Sequence, residues 1–221
     1  MSYTNPLQEH LIVFTRYPEP GKAKTRLIPH LGAVAAAQLQ RQMTEHTLLQ
    51  VSKLGDRSLT VEVRFVDGNL ELMQQWLGTD IDYQPQGEGD LGERIKRALA
   101  AAFARGSQKI ITIGTDCPGI TAKLLVTAFE QLHEYDLVLG PAIDGGYYLI
   151  GLKRLIAELF DDIAWGSDVV LQQTQAIAQQ LNLSVALLPP LADVDRPEDL
   201  VVWEEIQSRG AEGQRGRGEI I

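Results

Sequence analysis

The stretch Ile110-Ile111-Thr112-Ile113, followed at once by Gly114-Thr115-Asp116-Cys117-Pro118-Gly119, constrains this chain more than any other. Four successive β-branched residues suit a strand buried on both faces, and the Gly and Pro that follow force a sharp turn. A strand buried on both faces belongs in a parallel sheet covered by helices. At the C-terminal end of such a strand the loops diverge and leave a crevice, so Asp116 falls where open α/β sheets bind ligands. A carboxylate there is suited to a divalent cation, because magnesium takes one or two carboxylates, keeps waters and accepts phosphate oxygens.

The rest of the chain alternates in the way such a sheet requires. Strands are predicted over 11–15, 59–66, 81–84, 136–139, 147–152 and 183–188. Helices are predicted over 32–54, 70–77, 91–105, from the cap Thr121 through Leu132, over 153–160, and from the cap Ser167 through Leu181. Pro197 suits the first turn of a last helix ending near Ser208. The turn Ala142-Ile143-Asp144-Gly145-Gly146 is too short for a crossover, so the strand from Tyr147 is expected to run antiparallel. The expected fold is a three-layer α/β/α sandwich with a mostly parallel sheet and one antiparallel strand. It forms a single domain over 1–208, with 209–221 as a flexible tail.

Composition excludes several classes. No run of about 18 apolar residues could cross a bilayer, and the polar first nine residues are unlike a signal peptide. No membrane association is expected, and the expected location is the cytoplasm. One cysteine, Cys117, rules out an internal disulfide and a cysteine-cluster metal site, so a metal here is expected to be oxygen-bound. The formal charge of −9 argues against nucleic acid as a partner.

Against that acidic background, Arg16, Lys22, Lys24 and Arg26 form a basic island with only Glu19 opposing them. The island follows a buried strand. Backbone N–H groups freed by Gly21, together with these cations, make a plausible polyphosphate cradle. It is not a P-loop, because the spacing and the Gly-Lys-Ser/Thr order are absent. Arg16 and Lys22 are the foremost candidates for phosphate contact.

Three acidic sites complete the pattern. Asp116, with Thr115 beside it, is the metal candidate. Asp195, in Asp193-Val194-Asp195, is either a helix cap or a second metal ligand. Asp144 precedes Gly145 and Gly146, glycines that let backbone approach a ligand closely. It either closes a hairpin turn or touches a sugar hydroxyl, acts as a base or assists the metal.

Five segments in order, 14–27, 87–94, 114–118, 140–151 and 193–200, make the chain resemble the bacterial DUF2064 family, whose members are described as glycosyltransferases of the arsenosugar-biosynthesis type. The wider group it is similar to is the nucleotide-diphospho-sugar transferase superfamily with the GT-A fold, which also contains guanylyltransferases. The resemblance implies that Arg16, Gly21, Lys22 and Arg26 lie on nucleotide phosphates. It further implies that Gly87, Gly89, Asp90 and Leu91 lie near the base, and that Asp116 is the metal-binding aspartate.

The expectation is therefore a metal-dependent glycosyltransferase, using Mg²⁺ or Mn²⁺, that moves a sugar from a nucleotide diphosphate to a small-molecule acceptor. Lys22, Asp116 and Asp144 are its catalytic candidates, and a homodimer is compatible with it. One alternative is nucleotidyl transfer to a phosphorylated small molecule. Another is a non-catalytic nucleotide-binding protein.

Overall fold

A computed structural model describes residues 8–55 and 58–215, with the side chains of 210–215 left undescribed. Its centre is a seven-stranded sheet of order β3-β2-β1-β4-β6-β5-β7. The strands are β1 (Glu9–Arg16), β2 (Leu59–Val66), β3 (Asp82–Pro85), β4 (Lys109–Ile113), β5 (Leu137–Pro141), β6 (Tyr147–Leu152) and β7 (Val185–Leu187). All pairings are parallel except those of β6, which runs antiparallel to both β4 and β5. The short 142–146 connection enforces that reversal.

Among the described residues seven α-helices accompany the strands: α1 (Ile28–Leu31), α2 (Ala33–Ser52), α3 (Leu70–Leu77), α4 (Leu91–Ala104), α5 (Ala122–Glu134), α6 (Val170–Gln180) and α7 (Leu200–Arg215). Alternate residues of β1 feed opposite faces, as strand geometry demands. Leu11 and Val13 pack with α2, α3 and α5 side chains such as Val51, Met73 and Phe129. Ile12 and Phe14 pack with α4 and α6 side chains such as Leu99 and Ala178. A satellite cluster of Leu27, Leu39, Met43, Val194 and Trp203 fastens α7 to α1 and α2. The three-layer α/β/α expectation is met.

Three local expectations are corrected. Residues 153–160 form only a 3₁₀ turn over Ala157–Phe160, because Ile156, Leu159 and Phe160 bury themselves as a single turn. Ser167 caps nothing: its hydroxyl donates to the carbonyl of Ala164 at 2.6 Å, and α6 starts only at Val170. The last helix runs past Ser208 to Arg215, so the expected tail is helical in its first part, and 216–221 lie outside the described residues. Among the described residues no helix is long and apolar enough to cross a membrane.

β1 sits between β2 and β4, so the chain winds one way from β1 through β2 to β3 and the other way from β4. That reversal is a topological switch point, and ligands of open α/β sheets bind outside the carboxyl ends of the strands beside it. The basic loop leaves β1 there, and Asp116 leaves β4 there.

Candidate active site

A cleft of about 1100 Å³ opens at this edge. Its walls bring together Arg16, Lys22, Lys24 and Arg26 from the β1 loop, Thr115 and Asp116 from the β4 loop, Asp144 and Gly146 from the β5–β6 turn, and Asp195. Leu91, at the start of α4, lines it too.

The centre of the cleft is an ion cluster. Lys24 Nζ donates to Asp116 Oδ1 at 2.6 Å, to the carbonyl of Val194 at 2.7 Å and to Asp195 Oδ1 at 3.0 Å. An ammonium has three N–H donors, and all three are used. The Lys24 side chain is 3% exposed, whereas Asp116 is 54% exposed and faces the cleft. Burial alone would lower the lysine's pKa, but the Asp116 and Asp195 carboxylates outweigh it and hold it above its ordinary value. Lys24 also has a left-handed backbone, φ 47° and ψ 47°. A non-glycine residue in that region carries strain of about 1–3 kcal/mol, tolerated where the surroundings over-determine it.

The remaining cations of the island are paired more loosely. Arg16 bonds Asp67, Lys22 bonds Glu19 at 2.9 Å, and Arg26 reaches Asp195 Oδ2 at 3.3 Å. The Lys22 and Arg26 pairs are exposed and the Arg16 pair is partly so, so each is worth little and yields readily to a stronger anion.

Asp195 is not the cap it was allowed to be. Asp199 performs that role by turning back to accept from the amides of Asp195 and Arg196 at 3.1 and 2.7 Å. The Asp195 carboxylate is thus left to the cleft. Val194 between the two aspartates is fully buried, so Asp193 and Asp195 face the same way, and Asp193 also lines the cleft. Burial, then the nearby Asp144, Asp195 and Asp199, push the Asp193 carboxyl above its usual range. Sequence reading passed over Asp193, although the alternation around Val194 was there to be used.

Thr115 is 2% exposed, and its hydroxyl faces inward. Gln40 of α2 donates to Thr115 and Thr44 at 3.3 and 3.2 Å, and Thr15 meets Thr44 at 2.8 Å. This network ties the ends of β1 and β4 to α2 and forms the cleft floor. Cys117 is buried, and burial followed by the Asp116 charge raises its thiol pKa, which makes it a poor nucleophile.

Five sequence candidates do not line the cleft. Gly21 belongs to the basic loop and is exposed, but it is not part of the lining. Gly87 holds a positive φ against Arg97, whose guanidinium donates to the carbonyls of Gln86 and Glu88. Gly89 abuts the Glu93 carboxylate, and Asp90 closes a capping box with Glu93, accepting from its amide at 2.9 Å. Gly145 is approached by the chain's own backbone, since a Cβ there would lie 2.0 Å from the carbonyl oxygen of Asp168. Gln86, which sequence reading missed, does line the cleft. Its amide donates to the carbonyls of Thr15 and Arg64 at 3.0 and 3.1 Å, joining the ends of β1 and β2.

As a cation site the donors fit magnesium or manganese. Two carboxylates from separate loops already converge on one positive atom, every nearby donor is oxygen, and exposed carboxylate faces leave room for water and phosphate. No group of three or more His, Cys, Asp or Glu that could enclose an ion occurs among the described residues. The site therefore suits an ion that brings part of its coordination with it.

Sheet order, reversed β6 and switch-point cleft together define a nucleotide-diphospho-sugar transferase-like fold. A protein from Desulfovibrio desulfuricans G20, provisionally named a nucleotide-diphospho-sugar transferase, is 36% identical over 86% of this chain and 83% of its own, with a TM-score of 0.80. The inositol-1-phosphate CTP transferase of T. maritima shares the fold at 14% identity, with coverage of 93% and 97% and a TM-score of 0.54. So does Rv0371c of Mycobacterium tuberculosis H37Rv, solved in complex with manganese, at 16% identity, coverage of 87% and 96% and a TM-score of 0.53. No curated protein matches. The DUF2064 family, described as an uncharacterized protein conserved in bacteria, matches residues 47–167. The chain belongs to the DUF2064 family.

Proposed function

We propose that this chain is a cytoplasmic, metal-dependent glycosyltransferase that moves a sugar from a nucleotide diphosphate to a small-molecule acceptor. One observation carries the reading: Asp116 and Asp195, from different loops, converge on the Lys24 ammonium at the switch-point cleft, which Arg16, Lys22 and Arg26 also line.

Asp116 and Asp195 would hold Mg²⁺ or Mn²⁺. When bound, such an ion neutralises charge on a departing diphosphate. Arg16, Lys22 and Arg26 supply further positive charge to the same leaving group, and their wholly or partly exposed pairings with Asp67, Glu19 and Asp195 can be exchanged for phosphate oxygens. The base is assigned to the part of the cleft lined by Leu91 and Gln86, both of which face it. Asp144, exposed and anchored by accepting from the amide of Gly146 at 2.9 Å, faces the acceptor side beside Asp193. Either carboxylate is placed to orient a hydroxyl or receive its proton.

Nucleotidyl transfer is the second reading, favoured by the activity named for the T. maritima fold relative. Product analysis separates the two. Incubation with manganese and a panel of nucleotide sugars releases nucleoside diphosphate under the first reading. Incubation with nucleoside triphosphates and phosphorylated acceptors releases pyrophosphate under the second. Release of neither from any member of either panel counts against both.

A further inference from the structure

Lys24 does something that neither a phosphate contact nor a surface charge requires. Its ammonium occupies the point on which Asp116 and Asp195 converge, with all three of its protons given to protein oxygens. We propose that Lys24 is a resident counter-cation of the acidic pair, so that a divalent ion takes full hold of Asp116 and Asp195 only when the ammonium moves off onto a phosphate. The inference rests on the transferase reading and deepens it by assigning Lys24 a role in coupling metal and phosphate.

Three features support it. First, charge: with Lys24 in place the two carboxylates and the ammonium sum to one negative charge, which attracts a divalent cation far less than the bare pair would. Second, space: the ammonium lies 2.6 and 3.0 Å from one oxygen of each carboxylate, so an ion bridging those same oxygens must take its place. Third, the backbone: Lys24 holds a strained left-handed conformation directly before the 3₁₀ turn Thr25–Leu27, the kind of strain that persists where surrounding contacts over-determine it and that clusters at switching sites. A displaced lysine needs an anion, and the adjacent phosphate cradle of Arg16, Lys22 and Arg26 is where one arrives. Metal and phosphate should therefore each strengthen the binding of the other, as linkage requires.

The test is a manganese titration of the full chain, followed by the electron paramagnetic resonance signal of the free ion, with no nucleotide present. Lys24→Met and Lys24→Gln are expected to bind manganese about tenfold more tightly than the native chain, and Lys24→Arg no more tightly than it. Lys24→Gln keeps amide donors for both carboxylates, so it carries the comparison if Lys24→Met does not fold. A second titration with inorganic pyrophosphate present should raise the manganese affinity of the native chain by a larger factor than that of Lys24→Gln. Equal manganese affinity in the native chain and both neutral variants would overturn the proposal, because the ion would then sit on the outer carboxylate faces with Lys24 left in place. Failure of the functional reading looks different: no nucleotide or nucleotide sugar binds with manganese present, whatever the lysine variants do with manganese alone.

Discussion

The amide of Val194 donates to the carbonyl of Asp116 at 2.9 Å, and this backbone bond fixes how far apart two cleft carboxylates can be. Val194 is itself anchored in the cluster around Trp203, which fastens α7 to α2, while the loop after Asp116 is held to α2 by His46, whose Nε2 meets the carbonyl of Pro118 at 3.1 Å. The acidic pair is thus positioned by rigid elements on both sides, as a metal site needs.

Replacing Asp195 by Asn keeps an oxygen for Lys24 but removes a charge that a metal would need. The buried ammonium keeps Asp116, the carbonyl of Val194 and the new amide oxygen, so the loss of stability should be about 1 kcal/mol. Stabilisation by manganese with a nucleotide should fall sharply. At a ligand concentration of about a hundred times the dissociation constant the native chain gains about 2.7 kcal/mol, and a tenfold weaker site loses about half of that. Thermal melting with and without manganese and nucleotide reads both effects. Full retention of the ligand-induced shift would remove Asp195 from the site.

Asp90 separates a helix cap from a nucleotide contact. Its carboxylate accepts from the Glu93 amide while the Glu93 carboxylate accepts from the Asp90 amide, which is a complete capping box. Asp90→Ala should therefore cost about 1 kcal/mol of stability, with nucleotide affinity unchanged. Urea unfolding measures the first and equilibrium binding of the nucleotide the second; weakened binding in a fully folded variant would restore Asp90 to the base-side wall.

Much of the fold was legible because local chemistry and tertiary packing agree. β2, α3 and β6 occupy the predicted residues, and in β2 the alternation of apolar and polar residues is itself the signal. Residues 153–160 misled because Ile156, Leu159 and Phe160 have helical spacing without enough turns to sustain a helix. In the site, Asp116 could be read from its strand end, since position in a parallel sheet determines exposure. The role of Lys24 could not be, because its carboxylate partners lie 92 and 171 residues away and no local pattern reports such a contact. Gly87, Gly89 and Gly145 looked like ligand contacts for a similar reason. A glycine that admits a ligand and one that admits the chain's own Arg97, Glu93 or Asp168 are the same letter.

That ambiguity can be tested directly. Gly145 has φ +91°, and a methyl group there would collide with the backbone carbonyl of Asp168, which cannot rotate away as a side chain could. Gly145→Ala should cost more than about 2 kcal/mol. Gly21 has a similar φ of +88° with nothing near its Cβ, so Gly21→Ala should cost only about 1 kcal/mol. Urea midpoints of the two variants should differ in that order, and equal midpoints would mean that the 142–146 turn moves freely against α6.

Away from the cleft, Glu62 governs behaviour in acid. It lies fully buried on β2, bonded to Arg64 and to Arg105 at the end of α4, with His10 Nε2 3.5 Å from its carboxylate. Burial alone would raise its pKa, but the His10, Arg64 and Arg105 contacts together pull it down to about 2 from an ordinary value of 4.5. The folded state therefore binds a proton on Glu62 less readily than the unfolded chain does. Its contribution is present in full above the ordinary value and is lost as pH falls through that value toward about 2. A gap of this size corresponds to a contribution on the order of 3 kcal/mol. Near neutral pH, Glu62→Gln should be destabilised by that order, since it leaves the buried Arg64 short of its counter-charge. Between pH 4.5 and about 2 the deficit should shrink, because the native chain is losing the same interaction. Urea unfolding of both proteins across that range gives the comparison, and a deficit that stays constant down to the acid end would show that the Glu62 charge does not hold α4 to the sheet.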